Sequence, residues 1–153
     1  MLYINTCFVS VSLFGLFATA SVFASESTVR IVTSFTILED LVRQLGGDNV
    51  DVVNLVPRDS DAHVYRPRPS DSIAIVNADL VISNGLGFEG WIDRLLEDAG
   101  KREKHLVASD GVQILAEKAE IDPHAWQSFR NIKIYVHNIL FASLDYFLGM
   151  ILM

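Results

Sequence analysis

The stretch Val29-Arg-Ile-Val-Thr-Ser-Phe35 decides the fold class, together with the segments that directly follow it. It is rich in β-branched residues and predicts a strand. Thr36 is placed to cap a helix over Ile37–Leu45, because the apolar residues there recur at helical spacing and two glycines end the pattern. A second β-branched run follows at Val50–Val56. A strand, a helix and a second strand in this order are typical of a parallel sheet with helices on its faces.

The alternation of strand and helix continues along the chain, which predicts an α/β protein with an open parallel sheet of about four strands and flanking helices. In such sheets, ligands gather at the carboxyl ends of the strands. The further predicted elements are a helix at Pro69–Ala78, a strand at Asp79–Ser83, a helix at Phe88–Ala99, a strand at Lys104–Ala108, a short strand at Val112–Leu115, a loop at Ala116–Ile121 and a last helix from about Ser128.

Composition and charge narrow the class of protein. The chain has 153 residues, of which 50% are hydrophobic and 20% charged, so it is long enough for one domain with a real core. Its formal net charge is −7, and every Lys, Arg, Asp and Glu lies beyond Ala24. An acidic chain is a poor candidate for binding nucleic acid or anionic membrane surfaces and is better suited to handling cations.

Residues 1–24 have the features of a secretory signal peptide. Phe8–Phe23 is almost wholly apolar or small, and the small residue Ala24 precedes a polar stretch, so we expect cleavage near Ala24. The alternative is a retained membrane anchor, but the apolar run is about 16 residues, short of the ~20 that a spanning helix needs. Cys7 is the only cysteine, so the mature chain would have no disulfide and no thiolate ligand.

Two loop segments, Asp61-Ala-His-Val-Tyr65 and Asp122-Pro-His-Ala-Trp126, share one pattern. In each, the histidine follows an aspartate by two residues and precedes by two an aromatic residue that would shield a site from water. Neutral imidazole binds zinc, iron and manganese, and a nearby carboxylate often orients it. From these residues alone, a metal site of His63 and His124 stands beside the alternative of two ordinary loop histidines.

The remaining candidate residues are interpreted as structural. His105 lies in a predicted strand, and His137 lies on the last helix, where surface or packing roles are expected. Asn84-Gly-Leu-Gly87 is interpreted as a turn because the third glycine of a dinucleotide-binding loop is missing. The sequence contains no Gly-x-Ser-x-Gly elbow and no His-Glu-x-x-His.

The stretch from Asp61 to Asp71 reads Asp-x-His-x-Tyr-x-Pro-x-Pro-Ser-Asp and resembles the first ligand loop of the periplasmic metal-binding proteins of zinc and manganese ABC importers. The resemblance extends in the same order from about Val29 to Ile139. The segment around His124 resembles that family's second ligand loop. The other matching segments are Ala78–Ile82, Asn84–Glu89 with Trp91, and Asn131–Val136, which resembles the start of the long linking helix.

The resemblance implies that His63 and His124 are the two metal ligands of an N-terminal lobe. The family adds a third and a fourth ligand from a C-terminal lobe, and a helix joins the lobes. It implies no enzyme but a monomeric periplasmic solute-binding protein, which carries Zn²⁺ or Mn²⁺ as the transported ion and delivers it to a membrane permease. We expect a signal peptide at 1–24, a metal-binding lobe at 25–127, and a truncated linking helix with an apolar tail at 128–153.

The tail Ile139–Met153 is apolar on nearly every side, whereas a surface helix should show a polar face. We therefore expect either a truncated or frameshifted end or a segment that something else buries. Two histidines alone predict weak metal binding, and the exposed apolar tail predicts poor solubility. The segment Leu115–Ile121 is short and lacks histidine, which by the resemblance favours manganese or a broader specificity over zinc.

Two alternatives come from other classes. A secreted zinc metallohydrolase would need three protein ligands and a general base, but only two suitable histidines are visible. A metal-independent surface protein with a role in cell adhesion would use the apolar tail as its interaction segment.

Overall fold

A computed structural model of the chain describes residues 28–114, 116–117 and 120–151. The predicted signal peptide lies outside the described residues. Four parallel strands form the central sheet in the order β2-β1-β3-β4. Their bounds are β1 Val29–Thr33, β2 Val50–Asn54, β3 Leu80–Ser83 and β4 His105–Val107.

Helices cover both faces of this sheet, as the clusters of buried residues show. One cluster joins Ile31 of β1 to Leu38 and Tyr135, and the other joins Val32 of β1 to Ile75 and residues of the third helix. Neighbouring residues of β1 point to opposite faces, so each face of the sheet has its own core. The predicted α/β class and four-stranded parallel sheet are confirmed. The helices are α1 Thr36–Gly46, α2 Pro69–Val76, α3 Ile92–Asp98 and α4 Phe129–Ile151.

Two local predictions about helix starts are wrong. Thr36 does not cap α1: Phe35 is the capping residue, its backbone is extended, and no side chain bonds there. The third helix begins at Ile92 instead of Phe88. The intervening segment includes Glu89, whose carboxylate accepts from the amides of Asn84 and Gly85 in the preceding turn at 2.7 and 3.1 Å.

The segment before α4 also differs from the prediction. Residues 112–114 form no strand, because the backbone N–H and C=O of Gln113 are bonded to the side chain of Asn131 at 3.2 and 3.1 Å. The segment predicted as a loop at 116–121 instead contains two short antiparallel strands, β5 Ala116–Glu117 and β6 Glu120–Ile121. The sequence does not predict these two strands, because the segment lacks the alternation of apolar and polar residues that is typical of a strand.

The last helix carries an apolar stripe that faces outward. Phe141, Leu144 and Leu148 are about half exposed, at 55%, 42% and 54%, while Ile139 and Ser143 on the other side are buried. This is the exposed apolar surface that the sequence of the tail predicted. Within the described part of the chain, no helix combines the length and apolar character needed to cross a membrane.

Candidate metal centre

The two loop histidines meet at the carboxyl edge of the sheet. His63 lies on the segment that follows β2, and His124 directly precedes the short 3-10 helix Ala125–Gln127. Their Nε2 atoms are 3.3 Å apart although 61 residues separate them in the chain. The ring centroids are 5.3 Å apart, with the ring planes at 61°. The structure thus brings together the two residues that the sequence singled out.

Backbone pairing and one indole position the first loop. The segment after β2 stays attached to the end of β1, since the amides of Leu55 and Val56 donate to the carbonyls of Thr33 and Ser34 at 2.9 and 3.1 Å. Further on, the indole Nε1 of Trp91 donates to the carbonyl of Ala62 at 2.9 Å. This bond fixes the residue next to His63. Asp61 also holds this loop, because its Oδ1 accepts from the backbone N–H of His63 at 2.9 Å.

Tyr65 does not shield the histidines, contrary to the sequence-based interpretation. Its hydroxyl donates to Oδ2 of Asp71 at 2.7 Å, and its ring contacts Trp91 with centroids 5.2 Å apart. The buried carboxylate of Asp71 also accepts the backbone N–H of Arg68 at 2.7 Å, at the start of α2. The bond between Tyr65 and Asp71 therefore connects the end of the first histidine loop to the start of α2.

The second loop orients its imidazole through a carboxylate. Oδ1 of Asp122 accepts from the backbone N–H of His124 at 3.0 Å and lies 2.8 Å from its ring Nδ1. The bond from the backbone of His124, and to a smaller extent the one from its ring, hold the pKa of Asp122 below its usual value. Asp61 bonds only the backbone of His63, so the two Asp-x-His motifs are alike in sequence but differ in what the aspartate orients.

A cluster of aromatic rings supports both imidazoles. Phe88 contacts the ring of His63 edge-on with centroids 4.5 Å apart, and the ring of His124 at 5.8 Å. Trp126 contacts His124 with ring centroids 5.2 Å apart. Phe35 packs on both Phe88 and Trp126 at 4.9 and 4.8 Å. The cleft above these rings has a volume of about 230 Å³ and includes both histidines.

A buried carboxylate lies among the strand ends next to this cluster. Glu89 is 5% exposed and accepts hydrogen bonds from the hydroxyl of Ser34 and from the amides of Asn84 and Gly85, the latter two at 2.7 and 3.1 Å. Burial raises the pKa of its carboxyl group. The sequence pattern alone does not single out Glu89. Its one signal is a glutamate that follows a glycine turn at the end of a buried strand.

The other two histidines lie elsewhere. His105 is half buried on β4, where its Nε2 lies 2.8 Å from the Ser83 hydroxyl, and burial lowers its pKa. His137 packs on Phe141 with ring centroids 4.3 Å apart. Both have the structural or packing roles expected of them. Among the residues whose positions are described, no group of three or more His, Cys, Asp or Glu side chains is placed to hold a metal ion.

Comparison with known families shows which family the chain belongs to. Residues 31–143 match the profile of the ZnuA family, described as zinc-uptake complex component A, periplasmic. The chain belongs to this family. The predicted family is therefore confirmed, and the matched range begins within β1 and includes both histidine loops and the first two-thirds of α4.

Curated relatives of this ZnuA-family chain have metal-transport names. It is 34% identical over 141 residues to the manganese ABC transporter substrate-binding lipoprotein PsaA of Streptococcus pneumoniae, covering 83% of this chain and 46% of the relative. It is 37% identical over 112 residues to the manganese-binding lipoprotein MntA of Halalkalibacterium halodurans, covering 72% and 37%. The ZnuA-family chain thus spans less than half the length of the curated relatives it matches.

Solved structures of periplasmic metal-binding proteins share the fold of this ZnuA-family chain. The Mn-bound periplasmic metal-binding protein of Candidatus Liberibacter asiaticus has a TM-score of 0.67 at 33% identity, covering 73% of this chain and 43% of that one. The Zn(II)-bound AdcA of Streptococcus pneumoniae has a TM-score of 0.65 at 27% identity, covering 74% and 25%. The observed α/β lobe is therefore the fold of part of these proteins.

Proposed function

We propose that this chain binds a divalent metal ion, Zn²⁺ or Mn²⁺, through Nε2 of His63 and Nε2 of His124. The ion is cargo, which the protein delivers to the membrane permease of an ABC importer without any chemical change. The observation that carries the proposal is the 3.3 Å separation of the two Nε2 atoms.

That separation suits two ligands of one ion. Zinc–nitrogen bonds of about 2.0–2.1 Å at a tetrahedral angle place the two nitrogens about 3.3 Å apart. The carboxylate of Asp122 accepts from Nδ1 of His124 at 2.8 Å, which favours the tautomer with its proton on Nδ1. The lone pair of Nε2 is then free for a metal ion. The acidic chain, with a net charge of −7, supports attraction of a cation.

Two imidazoles fill half of a four-coordinate site, and water molecules complete it in this chain. The proposed affinity is therefore weak, because a metal–water bond in place of a protein ligand adds nothing to the free energy of binding to the protein. Family membership supports a binding role over catalysis. A zinc hydrolase would need a third protein ligand and a general base beside the ion, whereas His63 and His124 supply two ligands.

Localisation and partners follow from the family's description and from the names of the relatives. We propose a periplasmic protein that is secreted by a signal peptide at 1–24, acts as a monomer and binds no nucleic acid. Its metal-binding lobe comprises residues 25–127, and 128–153 form the linking helix and its apolar tail. The names of the relatives include both manganese and zinc, and both ions belong to the proposal.

Isothermal titration calorimetry of the full chain with Zn²⁺ and Mn²⁺ tests this function. We expect weak binding of one ion, abolished in His63→Ala and unchanged in His137→Ala, a matched control on α4. Sub-micromolar affinity that is lost in His63→Ala would contradict the weak half-site. Absence of any binding, or binding that survives in His63→Ala, would contradict metal binding by these histidines.

A further inference from the structure

Asn84 is a fully buried amide at the carboxyl end of β3, and all its polar groups are bonded. Its Nδ2 donates to the carbonyls of Gly85 at 3.0 Å and of Pro123 at 2.9 Å. Its Oδ1 accepts from the hydroxyl of Tyr135 at 2.5 Å, and its backbone N–H donates to Glu89 at 2.7 Å. One side chain thus joins the sheet, α4 and the second histidine loop.

The bond to Pro123 matters because of where that carbonyl lies. Pro123 stands between Asp122 and His124, so its carbonyl belongs to the peptide bond that leads into the candidate ligand. The same backbone is held from the other side, where Trp126 packs on Phe35 with ring centroids 4.8 Å apart. A short loop that is fixed on both sides has little freedom to move its imidazole away from His63.

The group that donates to Asn84 is itself buried. Tyr135 is fully buried on α4. Its burial and, to a smaller extent, the nearby charge of Glu89 raise the pKa of its hydroxyl, so the hydroxyl stays protonated and remains a donor. A buried amide with two donor bonds and one acceptor bond has one orientation, since a flip would place its oxygen against two carbonyl oxygens. The position of Pro123 is therefore set by the sheet and by α4.

We infer that Asn84 is a positioning residue for the metal centre: its amide holds Pro123 so that His124 stays against His63. The expected effect on metal affinity rests on the proposed function, whereas the contact between the two imidazoles is a property of the chain without metal. Asn84 acts through Pro123 and touches no metal ion itself.

The matched pair of variants is Asn84→Leu and Asn138→Leu. Asn138 also donates from Nδ2 to two backbone carbonyls, those of Ala108 and Asp110 at 3.0 and 2.9 Å, and so ties α4 to the end of β4. Both variants remove two amide donors with a side chain of similar shape. Only Asn84→Leu frees the loop that carries His124.

The first readout is the nuclear Overhauser effect between ring protons of His63 and His124 in the full chain without metal. We expect it in the wild type and in Asn138→Leu, and its loss in Asn84→Leu while the circular dichroism spectrum is kept. Retention in Asn84→Leu, or equal loss in both variants, would overturn the inference. If Asn84→Leu does not fold, the smaller variant Asn84→Ala carries the same expectations, because a methyl group cannot donate to the carbonyl of Pro123.

The second readout is zinc affinity by calorimetry. Substitution of groups that orient a ligand lowers metal affinity about 10- to 100-fold, so we expect a loss of at least about tenfold in Asn84→Leu and less than about twofold in Asn138→Leu. Wild-type chain that shows the Overhauser effect but binds no zinc would overturn the proposed function and leave the positioning role intact. Zinc binding that is unchanged in Asn84→Leu would overturn the positioning role alone.

Discussion

Substituting Asp122 by alanine should weaken zinc binding more than the same change at Asp61. Asp122 accepts from ring Nδ1 of His124 at 2.8 Å, whereas Asp61 bonds only the backbone of His63. A carboxylate on the second ring nitrogen fixes the tautomer and raises the basicity of the ligand, an effect of about 10- to 100-fold in affinity. Asp122 is solvent-exposed, which screens its charge, so we expect the lower end, about tenfold.

The assay is a calorimetric zinc titration of the full chain, with Asp61→Ala as the matched control and Asp122→Asn as a second variant. Asparagine keeps an acceptor oxygen but loses the charge, so its affinity should fall between those of the wild type and Asp122→Ala. Equal losses in Asp61→Ala and Asp122→Ala would refute the reasoning, because the two aspartates would then act only by shaping their loops. A loss below about twofold in Asp122→Ala would refute it as well.

The remaining predictions concern stability and solubility. Burial raises the pKa of Glu89 above its usual 4.5, so the protein should lose stability as the pH rises through the folded-state value, and Glu89→Gln should remove that loss in denaturant unfolding at several pH values. A Glu89→Gln variant with the wild-type pH dependence would contradict this. Tyr135→Phe leaves Oδ1 of Asn84 without its donor and should lower the free energy of unfolding by about 1–3 kcal/mol in urea titrations, and an unchanged midpoint would count against the bond. Replacing Phe141 and Leu148 together by glutamate should raise the solubility of the chain, measured as the protein left after centrifugation, and no gain would show that the apolar stripe does not limit solubility.

The sheet could be predicted because parallel strands buried on both faces form nearly continuous apolar runs. β3 is buried along its whole length, and β1 and β2 remain rich in valine and isoleucine although each includes one exposed charged residue. The glycine and proline positions between these strands mark the loops. The ends of the helices were harder. Residues 88–91 precede α3, and Glu89 among them is bonded back to the turn at Asn84 and Gly85, a contact that the apolar spacing of the segment does not reveal.

The site could be predicted in outline only. His63 and His124 lie at the carboxyl edge of the sheet. The resemblance of their loops to the ligand loops of a known family distinguishes them from His105 and His137 as candidate metal ligands. Phe88 and Trp126 pack against the two imidazoles, and the sequence predicts Phe88 as the first residue of a helix. The contact of Phe88 with His63 follows instead from the turn before α3, which the sequence pattern does not locate.

The buried polar residues were the largest omission. Asn84 was interpreted as part of a turn, and Glu89 as part of a helix, because each has neighbours typical of such elements. Their actual partners are far away in sequence: Ser34 lies 55 residues from Glu89, and Tyr135 lies 51 residues from Asn84. Hydrogen bonds over such separations are determined by the packing of the sheet and α4, which no local pattern encodes.

The central claim is that His63 and His124 bind one metal ion together. A zinc titration followed by the histidine ring resonances of the full chain tests it most directly. We predict that the resonances of both residues shift in parallel and saturate at one zinc per chain, while those of His105 and His137 stay in place. A shift of only one of the pair, or an equal shift of His105 or His137, would contradict the account.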